Sequence, residues 1–273
     1  LKIIKQMYWM CSRQLPFILF LAYLLAIVTA PLFTPHDPLE INMNERLLEP
    51  SVEHLFGTDH LGRDLFSRIL AGGQVTVGTG LLVLIIVLLS GVPLGMMSGF
   101  IGGRFDRYFM RIIDSFMAFP DFIIAIVLSG ILGPGMLNLI FAIVVTKWGS
   151  YVRLARSTVL SEKEKDYVLM AVVNGLSTFK LIRKHLLPHV VGNVFVLATL
   201  DFGKIILLIA SLSYIGLGAQ PPTPEWGAML NESTPYFHSS PYLMVIPGIA
   251  IMSTVLISNL AGDVLRDRFD VKG

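Results

Sequence analysis

One cysteine in 273 residues and a charged fraction of only 15% are the first shortages in this sequence. A lone Cys11 excludes an internal disulfide and a thiolate metal centre. Ordinary soluble domains carry roughly 25% charged residues, so the shortage of charge points to lipid as the surrounding solvent. No G-x-x-x-x-G-K-[ST] loop occurs, so nothing here is built to cradle nucleotide phosphates. H-E-x-x-H and G-x-S-x-G are also missing, which leaves an intramembrane hydrolase without its usual groups. The basic residues form no single patch, so the net charge of +2 does not mark a nucleic-acid partner.

What the chain has in abundance is apolar residues, 54% of the total, with a mean hydropathy of +0.70. A bilayer core of about 30 Å needs about 20 apolar residues per helix. Six stretches qualify: 15–32, 75–101, 108–132, 136–152, 190–217 and 243–261. The first lacks an A-x-A cleavage pattern and is expected to stay as an anchor. Lys and Arg alternate between the intervening segments as the positive-inside rule requires. With the N-terminus inside, sixteen of the twenty-one basic residues fall in inner segments, and only Arg46, Arg63 and Arg68 fall in outer ones. The expected fold is therefore an all-α membrane protein of six transmembrane helices with both termini cytoplasmic.

The expected layout is an inner segment 1–14, a membrane domain 15–265 and an inner tail 266–273. An outer segment at about 34–74 should contain a short helix over 60–70, capped by Thr58 or Asp59. In a second outer loop, about 218–242, Pro221, Pro222 and Pro224 exclude helix until Trp226 anchors one at the interface. Gly91, Gly95 and Gly99 form a small-xxx-small stripe for close helix contact. Pro93 and Pro120 lie inside spans, where neighbouring helices can satisfy the freed carbonyls.

The inner loop at about 153–189 is the most informative segment. Ser161 and Glu164 fit a capping box and predict a helix from Glu162, ended by Asn174 and Gly175. Ser177 or Thr178 should cap a second short helix, marked off by Pro188 before the fifth span. The result is a helix-turn-helix on the inner face. Its apolar run 167–173 is too short to cross a membrane and too long to leave in water.

Charges inside apolar runs should be interior or paired. Asp114 is expected to pair with Arg111, and Lys147 to snorkel beside Trp148. Asp121 is a candidate for the translocation path. Asp201 and Lys204, three apart on one helical face, are expected to form a buried pair and are also pathway candidates. His36, His54, His60 and His238 lie in outer segments and are weak candidates for touching a metal ion, since imidazole suits nickel and cobalt.

Four stretches resemble binding-protein-dependent ABC-transporter permeases of the dipeptide, oligopeptide and nickel branch. Ala171, Gly175 and Leu187-Pro188 have the spacing of that family's coupling loop, with Asp166-Tyr167-Val168 before it. Leu169 and Met170 stand where its usual pattern has Glu and Ala. Gly57-Thr58-Asp59-His60-Leu61-Gly62-Arg63-Asp64, the outer run from Gly216 through Gly227, and Asn259-Leu260-Ala261-Gly262-Asp263 are similar to its other hallmarks. The resemblance implies a bacterial inner-membrane permease forming half of an import pore. Its implied partners are a second homologous permease, two ATP-binding subunits and an extracytoplasmic substrate-binding protein, with ATP and Mg2+ bound on the partner ATPases and no cofactor on this chain. Asp166, Tyr167, Val168, Ala171, Gly175, Leu187 and Pro188 would carry the coupling to ATPase. Leu200-Asp201-Phe202-Gly203-Lys204 is closer to nickel or metal-chelate permeases than to dipeptide permeases. The expected cargo is nickel, cobalt or a metal chelate, with di- or oligopeptides as the alternative. A secondary transporter is a remote rival, because no inverted repeat stands out.

Overall fold

The computed structural model describes the backbone of residues 2–270 and the side chains of residues 15–267. Among these residues the structure is helical, with one isolated bridge between Thr58 and Asp64. The long helices are α1 (Lys2–Thr29), α2 (Leu65–Ile101), α3 (Gly103–Met117), α4 (Asp121–Leu132) and α5 (Met136–Lys163). Short α6 (Asp166–Val173) and α7 (Thr178–Leu181) lead into α8 (Leu187–Tyr214), and α9 (Trp226–Ser233) precedes α10 (Tyr242–Asp270). Five helices are long and apolar enough to cross a membrane, and α3 with α4 adds a sixth crossing if the pair counts as one broken span.

The glycine stripe decides that question. A Cβ on Gly95 would lie 2.3 Å from the carbonyl oxygen of Val152, one on Gly99 2.8 Å from that of Arg156, and one on Gly91 3.2 Å from the Trp148 ring, all on α5. Contacts rise together along the two sequences, 91 with 148, 95 with 152 and 99 with 156, so α2 and α5 are parallel. Two parallel helices in one chain require a return crossing between them. The pair α3 and α4 supplies it by running back along α5, with Asp106 at Arg156, Met117 at Gly149, Asp121 at Lys147 and Leu132 at Asn138.

The expected continuous third span over 108–132 is therefore corrected to two helices bent by 86° at residues 118–120. Pro120 has no N–H to continue a helix and drives Phe119 out of helical geometry. α3 also carries charge on one side, and its buried residues are Asp106, held by Arg156, and the Met110 and Ile113 stripe against Val152. α4 restarts with Asp121 at its first turn, where a carboxylate meets the positive end of the helix dipole.

Three other expectations change at helix ends. The helix expected over 60–70 is the start of α2, which Asp64 caps by accepting from Ser67 N at 2.8 Å. At 37 residues α2 is about 55 Å long, more than a bilayer core requires, so its first turns project beyond the apolar layer. Ser161 and Glu164 do not start a helix, because α5 continues through Ser161 to Lys163 with Glu164 as its C-cap, and α6 begins at Asp166. Pro188 does not separate α7 from the fifth span: the helix runs on through a wider π turn at residues 182–186, and Pro188 follows that turn inside the continuous run Thr178–Tyr214. Asn174 and Gly175, with φ +75° at the glycine, do end α6.

The remaining helices complete two apolar clusters. α2, α5 and α8 surround Val87, Ile143, Tyr151 and Ile209. α1, α2, α8 and α10 surround Phe20, Phe202, Ile206 and Ile251. α8 and α10 are antiparallel, with Gly203 against Asn259 and Gly262 against Leu200. α1 follows α8, Phe17 meeting Phe195 and Phe20 meeting Phe202, and its end reaches α2 where Gln74 Nε2 donates to Val28 O. The start of α1, the end of α10 and the 153–189 segment thus share one end of the bundle, the basic end. Residues 34–64 and 218–241 cover the other, acidic end.

Gly95→Ala is expected to lower the melting temperature of the detergent-solubilised protein, since overpacking costs about 1–3 kcal/mol. Gly78→Ala, with no atom within 4 Å of the new Cβ, should leave it unchanged or raise it. Equal shifts for the two variants would refute the close α2–α5 contact.

Candidate functional site: a locked acidic end and an open basic end

At the acidic end two outer segments are bolted together by ions. Arg63 and Arg68 are 2% and 1% exposed, and they face Asp59 and Glu232. Arg63 Nε donates to Asp59 Oδ2 at 2.6 Å and its Nη2 to Glu232 Oε2 at 2.7 Å, while Arg68 Nη2 donates to the same Glu232 oxygen at 3.0 Å. Two guanidinium groups and two carboxylates balance, so the cluster is neutral as a unit. Glu232 belongs to α9, and the other three belong to the first outer segment and the start of α2. Sequence reading placed Arg63 and Arg68 in an outer segment and gave them no partner. Their burial depends on a partner more than 160 residues away.

α9 is held by a second buried carboxylate. Glu225 caps it through Ala228 N at 2.8 Å and accepts from Thr76 Oγ1 at 3.0 Å. Burial pushes its carboxyl above the usual range, and the hydrogen bonds it accepts oppose that shift. Trp226, expected as an interface anchor, turns its ring into the bundle. It is 2% exposed, lies over Gly72 and Gly73, and donates from Nε1 to Ile69 O at 3.0 Å.

The outer histidines divide. His60 stacks on Tyr236 at 5.4 Å beside Asp59 and Glu232, but both carboxylates are already engaged by arginine. Burial holds the His60 imidazole below its ordinary value despite the neighbouring acids. His238 is exposed and touches only the ring of Phe237 among its recorded contacts. His36 and His54 come together with Asp64.

The charges within the bundle are paired differently from expectation. Lys147 does not snorkel: it is 5% exposed and donates to Asp121 Oδ2 at 2.8 Å across the bend between α3 and α4. Asp121 is thus a salt-bridge partner, with half its side chain still exposed. Asp114 pairs with Arg153 of α5 rather than with Arg111. Asp201 is buried and Lys204 lies 3.2 Å away, but the lysine side chain is 64% exposed. The pair is real and only its acid is interior.

At the basic end, Glu162 near the last turn of α5 gathers the following segment. It accepts from Lys165 Nζ at 2.7 Å and from Tyr167 Oη at 2.6 Å, and Tyr167 also meets His189 Nε2 at 3.3 Å. Partial burial and then the Glu162 bond raise the Tyr167 phenol to about 12, so it remains a donor at neutral pH. Val168, expected on the docking face, turns inward and is 1% exposed. Ala171 is half-buried, and Leu169, Met170, Val172, Val173 and Phe179 are exposed instead. Asp166, Gly175, Leu187 and Pro188 are also exposed around this patch. Glu162 was read only as a helix start, because the sequence does not show that α5 passes through it.

Residues 91–271 match the family described as binding-protein-dependent transport system inner membrane component. The chain is 40% identical over 259 residues to the nickel transport system permease protein NikC of Escherichia coli K12, covering 95% of this chain and 94% of that one. It is 39% identical over 255 residues to the dipeptide transport system permease protein DppC of Alkalihalophilus pseudofirmus, covering 93% and 84%. It is 41% identical over 249 residues to the probable D,D-dipeptide transport system permease protein DdpC of E. coli K12, covering 91% and 84%.

Removing one arginine from the buried cluster should strand a carboxylate, which typically costs about 3–5 kcal/mol. Arg63→Met is therefore expected to lower the melting temperature sharply, while His60→Ala should have a much smaller effect. Matching melting curves for Arg63→Met and the parent protein would show that the cluster does not hold the acidic end.

Proposed function

Because this chain belongs to the binding-protein-dependent transport system inner membrane components, the permeases of ABC importers, we propose that it forms half of an import path for nickel, cobalt or a small metal chelate. In this reading the basic end faces the cytoplasm and the acidic end faces the binding protein. The charge split supports that orientation, sixteen basic residues lying in segments on one side and three on the other. ATP and Mg2+ would be bound by two partner ATPases, and a second, homologous permease would supply the other half of the path.

The observation that carries the coupling role is the exposed apolar surface on α6 and α7. Val173 is 78% exposed, Phe179 72% and Met170 59%, at the end of the molecule where charges otherwise dominate. Burying one such side chain is worth roughly 1.5–3 kcal/mol, so a few of them suffice for a reversible contact. Glu162, Lys165, Tyr167 and His189 would transmit motion of that contact to α5 and α8, because they tie α6 to both helices.

A second reading of the cargo, di- or oligopeptides, is favoured by likeness to the two dipeptide permeases at nearly the same identity. For the metal reading the relevant residue is Asp201, an acid interior to the bundle on α8 with its counter-charge turned outward. Uptake by proteoliposomes containing all subunits should favour Ni2+ or its chelate over a dipeptide at equal concentration. Dipeptide uptake unaffected by excess Ni2+ would establish the second reading.

Two further outcomes test orientation and coupling. Reporter fusions at residues 45 and 230 should register outside and fusions at 165 and 267 inside; one reversed site would overturn the topology. Val173→Asp and Ala171→Asp should release the ATPase subunits or uncouple hydrolysis from uptake while the chain still folds. Val168→Asp should instead impair folding, since its side chain is interior. Unchanged coupling in both surface variants would sink the docking assignment.

A further inference from the structure

The acidic end holds a second cluster of ionisable groups, and its charge is not balanced as the arginine cluster is. Asp64 is 3% exposed, and among the described residues its ion-pair contacts are to His36 and His54 only. Its Oδ2 caps α2 and its Oδ1 lies 2.9 Å from His54 Nδ1. The helix terminus offsets part of the cost of burying this carboxylate, but no arginine or lysine stands within ion-pair distance of it.

His36 completes the arrangement. Its backbone N–H donates to Ser67 Oγ at 3.3 Å, which pins the residue against the first turn of α2. The ring is 4.9 Å from the ring of His54, and Nδ1 is 3.9 Å from Asp64 Oδ2. That nitrogen is shut off from water and has no hydrogen-bond partner. A buried imidazole nitrogen facing a second imidazole and a carboxylate, at slightly more than hydrogen-bond distance, is the arrangement an intervening cation would produce.

We propose that His36, His54 and Asp64 form a binding site for a first-row divalent transition-metal ion of the nickel and zinc class. One ligand atom from each residue lies within 4.8 Å of the others. Metal–nitrogen and metal–oxygen bonds of about 2.0–2.2 Å place ligand atoms roughly 3–3.5 Å apart, so modest side-chain rotation closes the set. Imidazole and carboxylate suit this class of ion better than calcium or magnesium, which take oxygen. His54 Nε2 lies 3.4 Å from Glu45 Oε2, so a carboxylate is ready to orient the ring from its far side when Nδ1 binds the ion. The cleft around the site, about 210 Å³, is also lined by Asp37, Glu40 and Glu53, which draw in a cation and repel an anion.

The ion clamps residues 36 and 54 to the start of α2. It is a fixed structural ion, distinct from the cargo, so the site stands whether the cargo is a metal or a peptide. The assembled complex, stripped with EDTA in detergent, is titrated with NiCl2 and with ZnCl2 by calorimetry and by thermal shift. The parent complex is expected to bind one ion more per chain than the His36→Ala complex, with micromolar or tighter affinity, and to melt at a higher temperature when loaded. Glu45→Gln should weaken binding about tenfold or more. His238→Ala should change neither binding nor melting. Co2+ on the parent complex, read by X-ray absorption, should show imidazole scattering that is reduced in His36→Ala. Equal stoichiometry in the parent and His36→Ala complexes, or a purely oxygen-ligated Co2+, overturns the site. Should His36→Ala fail to assemble, the Co2+ ligation of the parent complex decides alone.

Discussion

The parallel contact between α2 and α5 is the constraint on which the topology depends. Lipid offers no hydrophobic drive between helices, so association relies on backbone approach and dense van der Waals contact. Gly91, Gly95 and Gly99 allow that approach, with the carbonyls of Val152 and Arg156 where Cβ atoms would otherwise stand. Once the two helices are parallel, the chain between them has to cross back. α3 and α4 perform the crossing as a broken element because Pro120 interrupts them, and Lys147 of α5 closes the break by pairing with Asp121.

The two ends of the bundle solve opposite problems. At the acidic end two sets of buried charges find partners within the chain: Arg63, Arg68, Asp59 and Glu232 neutralise one another, and Glu225 accepts from α9 and Thr76. A buried ion cluster contributes little net stability when complete and a large loss when broken, so it favours one arrangement of the outer segments over near alternatives. The basic end leaves apolar side chains on α6 and α7 in the open, while Glu162 and Tyr167 hold the short helix against α5. A charge-locked acidic end and an uncovered apolar patch at the basic end are the two features on which the proposed role rests.

Much of this was legible in the amino-acid sequence. The run lengths, the alternation of Lys and Arg and the glycine stripe determined an all-helical membrane protein, and no phosphate-binding loop occurs in it. Four ordered stretches resembling one family determined its membership. These are local features, carried by hydropathy and by spacing along the chain. The same locality explains the misreadings. Ser161 with Glu164 has the letters of a capping box, but a helix already under way does not stop for a cap. Pro188 has the look of a boundary, but the helix passes through it just beyond the wider turn at residues 182–186.

Only the tertiary structure decided which charges are buried and with whom. Arg63 meets Glu232 across 169 positions, Lys147 meets Asp121 across 26, and His36 meets Asp64 across a fold of the outer segment. The inward turn of Val168 and the outward turn of Lys204 were decided the same way, by which neighbours each helix face received. The sequence determined the class of protein, because lipid imposes length and polarity on every span separately. The pairing of its ions was left to the fold, because the energy of a charge depends on what surrounds it in space and not on what precedes it along the chain.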